Sequence, residues 1–397
     1  MNADADIKIE KPDDWQQFRQ SNLDVIVDPM VFRAADVFFR GKAHAHDTLP
    51  IGDAEKIWEA VSGDLGSLVA FFDQIILGDR IPLIDYGITF DSALAYETPW
   101  ICQVVNEELE ERVVMTVHVH GEVSQKARDA ALKALPERPD ASPELAKSVL
   151  REMGAFDYQW KPDLGALQNL EGDELVLARF LYGGLIFSAF AQMSGSSHVL
   201  QGKRSRLANS IAIGAPSASN DHEEELIAEL DRRIRDDPQL TGVRLELLPP
   251  FLPYLLLSAR PSNPRQLLRA AKQLREDEGV KQYRAWRRQL LRNWVERGLI
   301  EEAHEKEIKQ IALRLVERLN VDKEIKLELG VGAKADHTGV GVDAGIKIPV
   351  PVGRIWGWAL EQLPGRRYLK VLRRLRIANE QYGHMDRHLK EIWSANA

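Results

Sequence analysis

Leu175 to Met193, LVLARFLYGGLIFSAFAQM, is the longest apolar run in the chain, and any fold must hide it. Its length suits a bilayer. Against that, Arg179 lies inside it, Tyr182-Gly183-Gly184 dilutes it, and the chain's mean hydropathy is -0.29. A helix apolar on every side belongs in a protein core, so the run predicts a buried helix and no membrane span. The single cysteine, Cys102, excludes a disulfide framework and any multi-cysteine zinc site. With an acidic N-terminus that carries no apolar leader, it points to a cytoplasmic protein.

Around that run the sequence predicts a mainly α fold with a minor β component. Pro29 opens a helical pattern, and Gly63 and Gly66 mark a break between two further helices. RIPLIDYGITFD reads as extended. Thr98-Pro99, Ser142 and Asn263 read as helix starts, and Ser124 as the cap of a helix near 124–135. SGSSHVLQGKRSR reads as a polar loop. From Gly279 to Asn320 the pattern is helical for longer than one ordinary helix, so a long helix or a helical hairpin is expected. KEIKLELGVGAKADHTGVGVDAGIKIPVPV alternates about a turn and predicts a C-terminal β-hairpin, followed by a basic helix. The expected divisions are 1–215, mainly helical with short strands, 216–320, helical, and 321–397, hairpin plus basic helix.

Charge is uneven. Residues 1–150 hold 27 acidic against 14 basic side chains, a net of -13, and the rest holds 33 against 38, a net of +5. The basic surplus concentrates in VKQYRAWRRQLLRNW, with Arg284, Arg287 and Arg288 among Tyr283, Trp286 and Trp294, and in GRRYLKVLRRLRI, with Arg366, Arg367, Arg373 and Arg374. Cations beside aromatic faces suit phosphate and base contact. On a helix the same pattern also arises when the aromatics are core and the arginines are solvated. The partners expected are nucleic acid through these arginines, or a protein partner or second copy through the long helix.

The histidines open a different class of function. In VVMTVHVHGEV, His118 and His120 are two apart on a predicted strand and share a face, with Val117 and Val119 turned to the core. HVHGE resembles the first metal-binding motif of the amidohydrolase barrels and related phosphoesterases. The resemblance covers five residues and implies a divalent metal at His118 and His120, serving a metal-dependent hydrolase of phosphoesterase or nuclease type. Those barrels take further ligands from the ends of later strands, in a chain alternating strand and helix. Here the next histidine is His198, after a run of helices. The plain alternative is two polar residues on the wet face of a half-buried strand.

Other pairings are weaker. AHAHD repeats the two-residue spacing at His44 and His46. His384 and His388 are four apart, the helical spacing of paired zinc ligands, but Met385 stands where metalloproteases place a glutamate, and the segment reads as a solvated tail. Arginine followed five to seven residues later by histidine is similar to the signature of a helical ribonuclease family. It occurs at Arg40 with His46, Arg112 with His118 and Arg297 with His304. Glu324-Ile325-Lys326 resembles the acid-x-lysine element of a large nuclease class. Ser194 to Arg206, with Lys203, Arg204 and Arg206, could cradle an anion, and Ser196 with His198 could pair as nucleophile and base, although no Gly-x-Ser-x-Gly elbow is present.

The expectation is therefore a non-catalytic cytoplasmic interaction or regulatory protein that contacts its partner through the basic C-terminal half and has no cofactor. The alternatives are the metal-dependent hydrolase at His118 and His120, and a Gly-rich hairpin that inserts into membranes.

Overall fold

The computed structural model describes residues 7–9, 14, 25–48, 53–62, 65–85, 99–136, 141–155, 170–194, 196–212, 250–297, 371, 374–375, 377–379 and 382–395. The predicted hairpin, Glu324 to Lys326, His304, Arg366, Arg367 and Arg373 lie outside the described residues. Within them the protein is mainly α with a small parallel β component. Two compact units emerge from packing: Met1–Glu223 with Pro250–Asp277 and Ile377–Ala397, and Glu224–Pro249 with Glu278–Arg376.

Among the described residues the first unit has five short strands, β1 (Ile7–Ile9), β2 (Val25–Val27), β3 (Ile81–Asp85), β4 (Val114–Val119) and β5 (Ser197–Val199). One sheet has the order β1-β4-β3 and a second pairs β2 with β5, every pairing parallel. β2 packs beside β3. Parallel neighbours need helical crossovers. From β2 the chain reaches β3 through α1 (Pro29–Thr48), α2 (Ala54–Ser62) and α3 (Gly66–Leu77). From β3 it reaches β4 through α4 (Pro99–Leu109), and from β4 it reaches β5 through α5 (Gly121–Ala134), α6 (Pro143–Ala155) and α7 (Gly172–Ser194). The strand–helix alternation that the sequence hides is thus present. Strands covered on both faces, such as Val25-Ile26-Val27, carry no polar–apolar alternation to read.

α7 is the long apolar run. It is long and apolar enough to cross a membrane, and in the protein it packs on α5, α6 and β2. Phe180, Leu181, Tyr182, Ile186, Phe187 and Phe190 are buried with Val117, Val119 and Ile26 in one core cluster. Its Gly184 faces α8 (Gly202–Ala212). A Cβ there would stand 3.4 Å from Arg204 Cβ and 3.5 Å from its Cδ, so the arginine stem lies across the glycine, with its guanidinium 5.0 Å from the Phe180 ring. The segment expected as a loop is therefore β5 and the start of α8.

Helix starts follow the capping signals in part. Leu145 N donates to Ser142 Oγ at 3.2 Å and Gln266 N to Asn263 Oδ1 at 3.2 Å, as a polar N-cap dictates. Ser124 is not a cap. α5 begins three residues earlier, at Gly121, whose φ is 58°; Ser124 lies inside the helix and accepts from Arg128 at 3.1 Å. Gly121 turns the chain from β4 into α5 in a backbone region that glycine enters without strain.

α9 (Leu252–Ala259), α10 (Pro264–Glu276) and α12 (Met385–Ala395) complete this unit. The C-terminal tail is not solvated. Leu389, Ile392 and Trp393 are buried, Trp393 stacks on Trp58 of α2 at 5.0 Å, and its Nε1 donates to Val37 O at 3.1 Å. Of the second unit, α11 (Glu278–Arg297) is the described helix. Its Tyr283 and Trp286 stack at 6.0 Å and are 0% and 9% exposed.

Candidate functional site

In open α/β sheets, ligands bind outside the carboxyl ends of the strands where the order reverses. Here β2 packs beside β3 and pairs with β5. Two helices start there side by side, α1 just after β2 and α8 just after β5. Converging helix N-termini make a strong anion site, and this one is filled by the chain itself.

Asp28, fully buried, caps α1 by accepting from Met30 N at 3.0 Å. Its other oxygen accepts from Gln201 N at 3.0 Å. Arg204 donates to its Oδ1 at 2.7 Å, and Asp28 N donates to Val199 O at 2.9 Å. Gln201 caps α8 in turn, its Oε1 accepting from Lys203 N at 2.9 Å and Arg204 N at 3.0 Å. Its amide donates to both Glu152 oxygens at 3.3 Å. Lys203 pairs with Glu152 and also donates to Ala60 O near the end of α2 at 3.2 Å. Asp28, Glu152, Lys203 and Arg204 are all nearly or fully buried. The carboxylate of Asp28 thus takes the place a ligand anion would take, and the cations expected to cradle an external anion, Lys203 and Arg204, face inward to carboxylates. The missed residues are Asp28 and Glu152. A capping aspartate after a short strand was the available signal for the first; nothing local marks the second, which lies 49 positions before Gln201.

Ser196 and His198, weighed above as nucleophile and base, each have another partner. Ser196 accepts from Ser194 Oγ at 2.8 Å, while His198 Nε2 meets Ser188 Oγ of α7 at 3.3 Å. β5 lies against α7, which brings Ser188 to His198. Ser188 Oγ also donates to Gly184 O at 3.2 Å, the usual bond of a helical serine to the preceding turn.

His118 lies near the end of the central strand β4, and His120 follows the strand as the N-cap residue of α5. Val117 and Val119 are in the core, as the alternation requires. Lys8 and Asp85 are the register partners of His118 in β1 and β3. The two imidazoles lie 6.2 Å apart with planes 14° from parallel. No group of three or more His, Cys, Asp or Glu placed to hold a metal occurs among the described residues.

The remaining pairs disperse. Arg40 bonds Asp36 at 3.0 Å and lies 4.2 Å over the Trp100 ring. His44 is exposed on α1, the helix that also carries His46. Arg112 is exposed and its His118 is on a strand. His388 Nδ1 meets the Tyr382 hydroxyl. Of the basic candidates, Arg284, Arg287 and Arg288 are half-buried on α11 and Arg374 is exposed. The chain matches no protein-family model, no curated protein and no solved structure.

Proposed function

We propose that the chain is a non-catalytic interaction or regulatory protein of the cytoplasm that meets its partner through the basic C-terminal half. The observation that carries this reading is the self-filled crevice: where a parallel sheet would offer its helix N-termini to a ligand, Asp28 accepts from Met30 N, Gln201 N and Arg204. Nucleic acid fits the basic half as partner. With Tyr283 and Trp286 buried, its recognition rests on arginine–phosphate contacts rather than base stacking, and it is sequence-tolerant and salt-sensitive. The test is fluorescence anisotropy of labelled single- and double-stranded oligonucleotides across a salt series. Binding is expected to weaken steeply with salt, and the Arg373→Ala, Arg374→Ala variant to lower the salt slope by about 2, roughly 1 for each phosphate contact removed. No binding at low salt would remove nucleic acid and leave a protein partner.

A second reading, a metal-dependent hydrolase at His118 and His120, is favoured by one observation: both residues stand at the carboxyl end of the central parallel strand, the edge where such sheets hold ligands. Metal content of the purified protein decides it. Stoichiometric zinc, manganese or iron that disappears in His118→Ala, His120→Ala would establish the site; a metal-free protein, unchanged by the substitutions, would end it.

A further inference from the structure

Beside the buried ion pairs is a cleft lined by Arg33 and Ala34 of α1, Ala60 and Val61 of α2, Ser67 of α3, and Glu152 and Gln201. Its volume is about 10 Å³, at the lower limit of what one water needs, about 10–15 Å³. No organic substrate fits there.

Two observations show that the site is built for a polar occupant. Ser67 is 2% exposed and its Oγ has no hydrogen-bond partner, a costly arrangement for a buried hydroxyl. Ser67 is also the second residue of α3, and Leu65, at the N-cap position, supplies no side-chain hydrogen bond to the first turn. That turn's N–H groups need acceptors.

We infer that this cleft is a binding site for a single ordered water that bridges Ser67 Oγ at the start of α3 to the Glu152 carboxylate of α6. Size decides between water and a small anion. Arg33 and Glu152 both line the cleft and Glu152 is paired with Lys203, so charge favours neither. A space of about 10 Å³ admits one water and not a larger halide, and a water can accept from one side and donate to the other. The water ties α3 to α6 across the end of α2. The inference is independent of what the protein's partner is, because its test reads occupancy and not binding.

The experiment is a crystal structure of the full chain at a resolution that shows ordered water, with a second crystal soaked in bromide. Oxygen-17 relaxation dispersion counts long-lived waters in solution. A water within hydrogen-bond distance of Ser67 Oγ and Glu152 is expected, with no bromide anomalous peak. In Ser67→Val, whose added methyl fills the space, the peak and a single long-lived water should be lost. Ser67→Ala, which removes only the hydroxyl, should lower the occupancy and serves if the valine variant does not fold. An anomalous bromide peak in the cleft, no water there in the wild type, or a count unchanged in both variants would overturn the inference.

Discussion

Asp28 concentrates three tasks in one carboxylate: it caps α1, holds Gln201 at the start of α8 and neutralises Arg204. Removing one partner of a buried pair leaves the other charge uncompensated, at a cost of about 3–5 kcal/mol. Asp28→Asn and Arg204→Met should each lower the unfolding free energy by that order in urea titrations. The double variant should recover part of the loss, since no orphan charge remains, but not all of it, since the two backbone N–H groups still lose a carboxylate acceptor. A loss of under about 1 kcal/mol, the range of an exposed pair, would show that Arg204 turns to solvent and that the crevice is open.

Between elements, two kinds of contact differ in strength. On α10, Arg265 and Arg269 meet Glu108 of α4 at 3.3 and 3.1 Å, with the arginines 53% and 64% exposed. Exposed pairs of this sort contribute about 0.2–1 kcal/mol and fade with salt. Glu108→Gln should therefore cost under about 1 kcal/mol at low salt and nothing measurable at high salt. α12 is held by packing. Trp393→Ala removes the stack on Trp58 and the bond to Val37 O, and about 3–5 kcal/mol is expected for a buried tryptophan, with Trp393→Phe between it and the wild type. Denaturation with α12 proteolysis as a second readout checks this; an unaltered midpoint would mean that the helix adds nothing to the unit. Glu55 also ties α12, accepting from Lys42 of α1 at 2.8 Å and Lys390 of α12 at 3.2 Å. The hydrogen bond from Lys42, then that from Lys390, holds its carboxyl below the ordinary range, and the bond to Glu55 raises Lys42. A lowered carboxyl contributes stability above its unfolded value, lost as pH falls through the folded one; a raised lysine contributes below its unfolded value, lost as pH rises through the folded one. Thermal midpoints should thus drop at both extremes, and Glu55→Gln should flatten the part of each limb that comes from this cluster.

At the scale of the molecule, the mainly α fold with minor strands was legible, and so was the run from Leu175 to Met193 as a helix, because apolar runs, proline starts and glycine stops are local signals. The direction of the strands was not. β1, β2 and β5 are three residues each, too short to show a period, and their neighbours in the sheets are distant in sequence: β2 pairs with β5 across 172 positions, Val25 with Ser197. The histidines at the end of β4 were legible as residues sharing a face. What neighbours His118 was not, because Lys8 and Asp85 come beside it through register alone.

By itself the sequence determined that the fold is mainly helical, which long run must be hidden, that Val117 and Val119 turn inward, and that the C-terminal half is basic, since each follows from neighbours on the chain. The tertiary structure alone decided that Lys203 and Arg204 are internal counter-ions rather than an anion cradle, that His198 meets Ser188, and that the tail is a docked helix. Each of these depends on a partner, Glu152, Asp28, Ser188 or Trp58, that only the parallel pairing of short strands and the crossing of helices brings within a few ångströms.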